Sequence, residues 1–394
     1  MRILLLSFYF QPDLSAGSFR TTALVRALLD QLPADASIDV ITTQPNRYSS
    51  FSLDAPLIEE LPRLTIHRVP LTQHNSGMFD QSRAFLGYAK RVLSLVGDRR
   101  YQAVYATSSR LMTASLGAVV SKRIGCPLYL DIRDIFVDTI KDVLPAKFTW
   151  ILKPVFSLIE RLTVRAAARV NVVSAGFLPY FKARYPQGDF VVFTNGIDDE
   201  FINAQPVSSC KSENRVITVL YAGNMGEGQG LHMIVPQLAN RFAGRLKFIC
   251  IGDGGRKKQL EQAVIETRAT NVEIKPPIRR KDLISAYQEA DVLFLHLNDY
   301  DAFRKVLPSK VFEYAALGKP IWAGVAGYSA QFIRDEIPNV AVFSPCNDEE
   351  AERSFAALNI VTAPRHEFVE RFARRKIMQA LAEDFISLIK SKSL

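Results

Sequence analysis

The sequence is poor in the residues that build metal sites and disulfide frameworks. Its 394 residues include four cysteines and five histidines. These residues lie far apart and show no metal-ligand spacing, so we expect no metal site and a reduced chain, as in the cytoplasm. The cysteines are Cys126, Cys210, Cys250 and Cys346, and the histidines are His67, His74, His232, His296 and His366.

Long apolar runs are also missing. The best candidate, Leu111 to Val120, is far shorter than the ~18 residues that a membrane span needs, and Arg110 and Lys122 flank it. The apolar start from Ile3 to Phe10 has no small-residue cleavage site behind it, which favours a buried first strand over a secretory signal. We expect a cytoplasmic protein, with peripheral attachment to the inner face of the cytoplasmic membrane as a further option.

Several motifs that carry enzyme chemistry do not occur. The chain has no Walker loop, no G-x-S-x-G elbow and no H-E-x-x-H helix, so ATPase, hydrolase and zinc-protease functions have no support. Its cations lack the aromatic interleaving of RNA-binding modules and the basic-helix arrays of DNA-binding proteins. We therefore expect no nucleic-acid partner and no bound cofactor.

The chain does carry an excess of positive charge, with a formal net charge of +9 and a pI near 9.3. Such charge favours an anionic partner, either a phosphorylated substrate or a phospholipid surface. Two segments, Phe85 to Arg100 and Phe148 to Arg169, are both basic and apolar. They are either ordinary amphipathic helices packed on a sheet or segments that rest on an anionic membrane surface.

Short strand-like runs alternate with helical patterns along the whole chain, which predicts an α/β protein with parallel sheets. The length favours two domains. We expect a first Rossmann-like domain over 1–203, a polar linker over 204–214, a second Rossmann-like domain over 215–364, and a C-terminal helical segment over 365–394 that packs back on the first domain. The first helix is expected to open near Ser18, which is a suitable N-cap.

Ligands of doubly wound domains bind beyond the carboxyl ends of the strands, where helix N-termini present unpaired N–H groups. Glycine follows a predicted strand at Gly223 to Gly226 and again at Gly252 to Gly255, and a helix-start signal occurs at Leu307 to Glu313. Each segment alone is a weak signal, since glycine after a strand is most often a turn. Their order and spacing together are informative.

Six segments together resemble glycosyltransferase family 4, in particular its branch from bacterial O-antigen and capsule gene clusters, similar to N-acetylfucosamine-type transferases. They are FQPDLSAGS at 10–18, DIRD at 131–134, TNGID at 194–198, YAGNMG at 221–226, GDGG at 252–255 and PSKVFEYAALGKP at 308–320. The resemblance implies the GT-B architecture, in which two doubly wound parallel-sheet domains face a cleft.

The same resemblance implies transfer of a sugar from a nucleoside diphosphate sugar to a glycan or a polyprenyl-diphosphate-linked acceptor in surface polysaccharide biosynthesis. It further implies retention at the anomeric carbon, no required metal, and a UDP-linked acetamido sugar as the best candidate donor. Lys310 is expected to stabilise the leaving diphosphate, and Glu313 to accept from the ribose. The expected donor-binding residues are Gly17, Gly223, Asn224, Gly226, Gly252, Gly254, Arg304, Ser309, Lys310 and Glu313.

The sequence departs from the family at three positions. Asn224 and Gln229 stand where many members carry an arginine and a lysine, and Lys305 stands where the first glutamate of the Glu-x7-Glu motif belongs. We expect other cations to balance the diphosphate, with Arg256, Arg304, Lys305 and Lys310 as candidates. A non-catalytic sugar-nucleotide-binding scaffold and a GT-B epimerase are the alternatives.

In the first domain the candidate catalytic residues are Asp131, Arg133 and Asp134, at the end of a predicted strand. One of the aspartates either orients the acceptor hydroxyl and takes its proton or forms a structural ion pair with Arg133. Gly17 allows close approach of the backbone to the ligand. Arg20 faces either the ligand or solvent.

Overall fold

The computed structural model describes residues 1–13, 15–45, 55–71, 78–108, 111–138, 146–204 and 215–392, with the side chains of 78–82 and 146–151 left out. Most of the expected linker, residues 205–214, lies outside this part of the chain. None of the described helices is both long and apolar enough to cross a bilayer.

The chain divides into two compact units. The first contains Met1–Asn195 and Arg374–Leu394, and the second contains Gly196–Ala373. The first boundary therefore falls at 195/196 instead of 203/204. The reason is packing: Phe201 is fully buried with its ring 6.2 Å from that of Tyr287, and Asp198 forms an ion pair with Arg280.

Strands and helices alternate in both units. The strands are β1 (Arg2–Leu6), β2 (Ser37–Thr43), β3 (Ile58–Leu61), β4 (Leu64–Val69), β5 (Ala103–Thr107), β6 (Leu128–Ile132), β7 (Arg169–Val172), β8 (Phe190–Val192), β9 (Ile217–Asn224), β10 (Leu246–Asp253), β11 (Val272–Lys275), β12 (Val292–His296), β13 (Ile321–Gly324) and β14 (Val340–Phe343).

The helices described are α1 (Ala16–Gln31), α2 (Met78–Val96), α3 (Leu111–Ile124), α4 (Ala146–Ala166), α5 (Leu178–Arg184), α6 (Asp199–Ile202), α7 (Leu231–Arg241), α8 (Lys257–Glu266), α9 (Arg280–Glu289), α10 (Lys310–Ala316), α11 (Gly327–Glu336), α12 (Asp348–Phe355), α13 (His366–Phe372) and α14 (Arg374–Lys392). Short 3-10 turns occur at Ala175–Phe177, Glu227–Gln229 and Phe303–Lys305.

The sheet of the first unit has the order β3-β4-β2-β1-β5-β6-β7-β8. All its pairings are parallel except that of the edge strand β3 with β4. β1 lies between β2 and β5, so the order in which successive strands join the sheet reverses at β1. In sheets of this kind ligands bind in a crevice at such a reversal, beyond the carboxyl end of the strand. α1 follows β1 directly and therefore begins at that crevice.

Helix α1 begins three residues earlier than its expected cap at Ser18. Ser15 is the N-cap, and its Oγ accepts a hydrogen bond from the Ser18 N–H at 3.1 Å. Ser18 itself is buried inside the first turn. A capping serine satisfies a backbone donor that otherwise has no partner, and two serines three residues apart offer alternative starts that the sequence does not separate.

The C-terminal segment is two helices that belong to different units. Ala373 is non-helical (ψ 122°) and separates α13 from α14. α14 packs on α1 in the core of the first unit, where Phe385 lies 5.2 Å from the ring of Tyr129 and 5.6 Å from that of Tyr105. The first unit is therefore completed by the last residues of the chain.

The second unit contains a parallel sheet with the order β11-β10-β9-β12-β13-β14. Trp322 on β13 is fully buried and contacts Phe242, Phe294 and Phe355 with ring separations of 4.9 to 5.7 Å. The order reverses between β9 and β12, so the loops that follow these two strands meet at one edge. The end of β9 and these two loops carry half of the expected donor-binding residues, namely Gly223, Asn224, Gly226, Arg304 and Ser309.

Candidate functional site

Three glycines shape the edge of the sheet in the second unit. β9 pairs with β10 through Gly223 and Gly252, and a Cβ on Gly252 would lie 1.9 Å from the Gly223 carbonyl oxygen. Gly252 and Gly254 have φ angles of 149° and 157°, which favour glycine. The two strand ends therefore come closer together than side chains would allow.

Lys310 lies directly over Gly223. A Cβ on Gly223 would be 2.5 Å from both Cε and Nζ of Lys310, so the lysine occupies the space that a side chain would fill. Its ammonium also lies 5.3 Å from the ring centroid of Tyr221, whose hydroxyl donates to the Asn224 carbonyl oxygen at 2.5 Å. This brings Lys310 and Gly223, expected from sequence as donor-binding residues, into one half-buried cluster.

The two uncharged replacements, Asn224 and Gln229, bind each other. Nδ2 of Asn224 donates to Oε1 of Gln229 at 2.7 Å, and the Gly226 N–H donates to the same oxygen at 3.2 Å. Asn224, Gly226 and Gln229 therefore form a closed loop in front of α7. The loop is held by amide hydrogen bonds where many family members are expected to present two cations.

A buried histidine anchors this loop from behind. His296, at the end of β12, has Nδ1 2.7 Å from the Gln229 carbonyl oxygen, and its Nε2 accepts from the Cys346 N–H at 3.0 Å. The arrangement requires the neutral tautomer with the proton on Nδ1. Asn298 adds a hydrogen bond to the Glu227 carbonyl oxygen at 2.9 Å. Sequence analysis assigned no role to His296.

The anchoring predicts a pH-dependent stability. Burial lowers the pKa of His296 from its ordinary 6.5 to about 4, so between these values the unfolded chain binds a proton that the folded chain refuses. The free energy of unfolding should therefore fall as the pH drops from 6.5 to 4, by at most about 1.4 kcal/mol per pH unit from this group. Urea unfolding of wild type and His296→Gln across this range measures the effect.

The slope due to this group should vanish in His296→Gln and persist in His366→Gln, because His366 is an exposed residue. Equal slopes in wild type and His296→Gln would contradict a buried neutral imidazole at this position.

Two of the expected compensating cations are bound to carboxylates. Arg256 forms an ion pair with Glu227, and the Tyr300 hydroxyl donates to the same carboxylate at 2.5 Å. The Tyr300 hydrogen bond and Arg256 lower the pKa of Glu227. Arg304 is exposed and pairs with Asp299 at 3.1 Å. Both arginines are therefore partly neutralised at the site.

Ser309 and Glu313 flank Lys310 at the start of α10 and in its first turn. Both are half-buried. Glu313 acts electrostatically on Arg280: burial opposes the charged form, but Asp198 and Glu313 outweigh it and raise the pKa of Arg280. Glu313 thus belongs to a charged group of side chains next to the glycine loops.

In the first unit Asp131 and Arg20 form a buried ion pair. Arg20 Nε and Nη2 donate to the two Asp131 oxygens at 2.9 and 3.0 Å, and Asn171 Nδ2 donates to Oδ1 at 2.6 Å. Both charged residues are at most 1% exposed. Burial favours the neutral acid, but Arg20 outweighs it and lowers the pKa of Asp131. Both Asp131 oxygens are therefore engaged and inaccessible, in an ion pair with Arg20 and not with Arg133, and a role on the acceptor proton stays a prediction.

The position of Arg20 also differs from both expected alternatives. It faces neither the ligand nor solvent. Its Nη1 donates to the Thr194 carbonyl oxygen at 2.6 Å and its Nη2 to that of Phe193 at 2.9 Å. Arg20 therefore fixes the segment that ends the first unit. The buried strand sequence Arg169 to Val172 contains a polar residue, Asn171, which was the available signal for this network.

The remaining candidates of this edge are accessible. Arg133 is half-buried and Asp134 is exposed. The Arg133 N–H donates to the Ser108 hydroxyl at 2.9 Å, and its Nη1 has no hydrogen-bond partner among the described residues. A Cβ on Gly17 would lie 3.9 Å from the Arg133 guanidinium carbon. Gly17 and Arg133 are thus neighbours.

Across the described ranges, His, Cys, Asp and Glu form no group of three that could hold a metal ion. The candidate chemistry of this chain rests on cationic side chains and backbone N–H groups.

The sequence of each unit matches a known family. Residues 16–196 match the family described as "Glycosyl transferase 4-like domain", and residues 216–362 match "Glycosyl transferases group 1". The putative colanic acid biosynthesis glycosyl transferase WcaI of Escherichia coli is 27% identical over 164 residues, which are 40% of this chain and 39% of that protein. The chain thus matches about two fifths of the length of that relative.

Solved structures share the fold over nearly the whole chain. Sucrose-phosphate synthase from Thermosynechococcus elongatus has a TM-score of 0.73 at 14% identity, covering 99% of this chain and all of that one. Anabaena Alr3699/HepE in complex with UDP-glucose has a TM-score of 0.69 at 17% identity, covering 98% of this chain and all of that one. With both sheets and both family matches in place, the chain has the GT-B fold, in which the first unit matches the glycosyl transferase 4-like domain and the second matches glycosyl transferases group 1.

Proposed function

We propose that this protein transfers a sugar from a nucleoside diphosphate sugar, with a UDP-linked acetamido sugar as the best candidate, and that the second unit binds the donor. The observation that carries the proposal is the position of Lys310 over Gly223. A half-buried ammonium at the strand ends of a switch point suits a diphosphate that gains negative charge as it leaves.

The other residues of the second unit support the same role. The amide-closed loop of Asn224, Gly226 and Gln229 holds the start of α7, and a helix N-terminus suits a phosphate. Gly252 and Gly254 let the neighbouring backbone segments pack closely behind it. Glu313 is a suitable acceptor for ribose hydroxyls. UDP and UDP-glucose are the ligands named for the Anabaena HepE structures, which favours a uridine nucleotide.

The first unit is proposed to bind the acceptor, a glycan or a polyprenyl-diphosphate-linked sugar, in surface polysaccharide biosynthesis on the cytoplasmic side of the membrane. We propose retention without a metal ion. Because Asp131 is engaged, the acceptor proton goes to Asp134 or to the leaving phosphate itself, and Arg133 orients the acceptor. The WcaI relative, a putative colanic acid transferase, supports this pathway.

Nucleotide binding tests the proposal directly. UDP should raise the Tm of the protein by thermal shift more than GDP or ADP, and EDTA should not change the result. At a ligand concentration of about 100 times Kd the stabilisation amounts to ~2.7 kcal/mol. Absence of a shift with all three nucleotides and their sugars would contradict a donor site.

A catalytically inactive scaffold is the second candidate, because Asn224, Gln229 and Lys305 replace residues expected of active family members. Stabilisation by UDP without turnover of UDP-sugars over a broad acceptor panel would favour it. Interconversion of the UDP-sugar alone, without an acceptor, would instead favour an epimerase.

A further inference from the structure

A groove of about 710 Å³ lies in the first unit, away from Asp131 and Arg133. One wall is the sheet edge formed by β3 and β4 with the residues that flank them, and the other wall is α2. The volume lies within the range of small-molecule binding pockets. The lining is mainly apolar, and its aliphatic members include Leu57, Ile58, Val69, Leu71, Leu86 and Leu95.

The wall formed by α2 carries three cationic side chains and a glycine. Arg83, Gly87, Lys90 and Arg91 line the groove and are exposed, and their spacing places them on one face of the helix. The opposite face, which includes Tyr88, is buried in the core. Three cations therefore border a groove whose floor is hydrocarbon.

Three aliphatic side chains at this groove remain accessible in the unliganded chain. Leu57 and Ile58 are each 54% exposed, and Leu86 is 68% exposed. Isolated exposed leucines are ordinary, but a contiguous apolar surface in a concavity usually marks a binding site. Covering this surface with a hydrocarbon chain would release water at no cost in polar contacts.

A polar group without a partner lies in the same wall. His67, on β4, is only 7% exposed, lines the groove, and has no hydrogen-bond partner for either ring nitrogen among the described residues. Buried polar atoms are satisfied in nearly all proteins. An unused imidazole nitrogen at an apolar groove with a cationic border indicates that a ligand with a polar, anionic head supplies the missing contact.

We propose that this groove binds a single lipid phosphate molecule, with its hydrocarbon chain on the aliphatic floor and its phosphate among Arg83, Lys90 and Arg91. His67 provides a hydrogen bond to the same head group after a small adjustment of the wall. The concave shape distinguishes this mode from docking of a flat helix face on a bilayer. The proposal goes beyond sugar transfer and does not depend on which nucleotide the second unit binds.

Calorimetric titration of the full chain with decyl phosphate, below its micelle-forming concentration, tests the proposal. Decyl phosphate should bind one molecule per chain, whereas inorganic phosphate and uncharged decyl maltoside should bind at least tenfold more weakly. Shortening the chain from ten to eight carbons should weaken binding roughly tenfold, at three- to fourfold per buried methylene. Equal binding of inorganic phosphate would overturn the assignment of the hydrocarbon floor.

Gly87 offers a way to close the groove without harming the fold. A Cβ at Gly87 meets no atom within 4 Å, and the residue lies inside α2, where other residues are more favourable than glycine. Gly87→Phe should abolish decyl phosphate binding with an unchanged or higher Tm. Gly87→Ala, the matched control, should retain binding. Retained binding in a folded Gly87→Phe would overturn the proposal.

Separate variants test what the cationic side chains and His67 contribute to decyl phosphate binding. Lys90→Gln should weaken decyl phosphate binding several-fold, whereas Lys122→Gln, which removes an exposed lysine of α3 outside the groove lining, should not. His67→Phe should weaken binding of decyl phosphate but leave that of decanol unchanged. Equal loss in Lys122→Gln would show general attraction of anions by the basic chain and would count against a built site.

Two readouts separate this proposal from neighbouring ones. Sedimentation with anionic vesicles that is equal in wild type and Gly87→Phe, without binding of monomeric decyl phosphate, would assign the region to bilayer docking and overturn the proposal. The UDP-induced Tm shift should be the same in Gly87→Phe and wild type. If wild type shows the UDP-induced Tm shift but does not bind decyl phosphate, the proposed groove is ruled out and the donor site is not. If wild type binds decyl phosphate but shows no UDP-induced Tm shift, the donor site is ruled out and the groove is not.

Discussion

Lys310→Ala is expected to lower kcat for sugar transfer by about 10²- to 10³-fold, with little change in Tm. Removal of one preorganised charge-stabilising donor from an active site has effects of this size. The side chain is half-buried and lies over a glycine, so its truncation leaves a space beside backbone and removes no part of the hydrophobic core. Initial rates with a UDP-sugar at saturating acceptor measure the effect.

Two control variants separate the effect of the position of Lys310 on kcat from the effect of its charge. Lys258→Ala removes an exposed lysine of α8 in the same unit and should leave kcat within twofold of wild type. Lys310→Arg keeps the charge but has a different shape, so only partial recovery is expected. A Lys310→Ala variant with near-normal kcat would remove the observation on which the proposed function rests.

Arg20→Met is expected to destabilise the first unit by about 3–5 kcal/mol. Removing one partner of a buried ion pair leaves an uncompensated charge, here the carboxylate of Asp131, in a buried site. The substitution also leaves the carbonyl oxygens of Phe193 and Thr194 without the donors that Arg20 provides. Urea unfolding followed by circular dichroism at pH 7 measures the loss as a lower midpoint.

The matched control is Arg26→Met, on the same helix. Arg26 is exposed, and surface substitutions of this kind usually change stability by less than about 0.5 kcal/mol. Arg20→Met combined with Asp131→Asn should recover part of the loss, because the buried charge is gone. If Arg20→Met unfolded at the same urea concentration as Arg26→Met, the pair would not be the structural element that its burial indicates.

The contribution of the Arg20–Asp131 ion pair to the free energy of unfolding also depends on pH. The folded-state pKa of Asp131 lies below its ordinary 3.8 because Arg20 outweighs the effect of burial. Its contribution is therefore fully present above that ordinary value and is lost as the pH falls through the lower folded-state pKa. At pH 7 this contribution is fully present in wild type, whereas in Arg20→Met burial is no longer opposed by Arg20 and raises the pKa of Asp131.

The positions of the buried strands and of the glycine loops could be predicted from local sequence patterns. Apolar runs such as Val292 to Leu297 predicted buried parallel strands because such strands are covered on both faces, and β12 lies at Val292–His296. The edge strands β3 and β14, and β4 next to β3, were not predicted. β3 has the exposed sequence IEEL, which gives no strand period, and it exists because β4 pairs with it.

The residues of the candidate site also divide into those that local sequence patterns predict and those that depend on long-range contacts. Gly223, Gly252 and Lys310 follow strands or open a helix, and parallel topology brings such positions to one edge whatever their distance in the chain. For Asp131 the sequence suggests its neighbour Arg133 as the ion-pair partner, whereas the partner in the structure is Arg20, which lies 111 residues away. Long-range partners decide whether a carboxylate at a strand end is a functional group or part of the core.

The sequence by itself therefore determined the class of the fold, the family resemblance and the positions of the strand-end loops, because hydrophobic period and turn residues act locally. Only the tertiary structure decided which charges are used up in ion pairs, that α14 completes the first unit, and that His296 supports the glycine loop. These depend on contacts between residues far apart in the chain, and burial then fixes the charge state of each group.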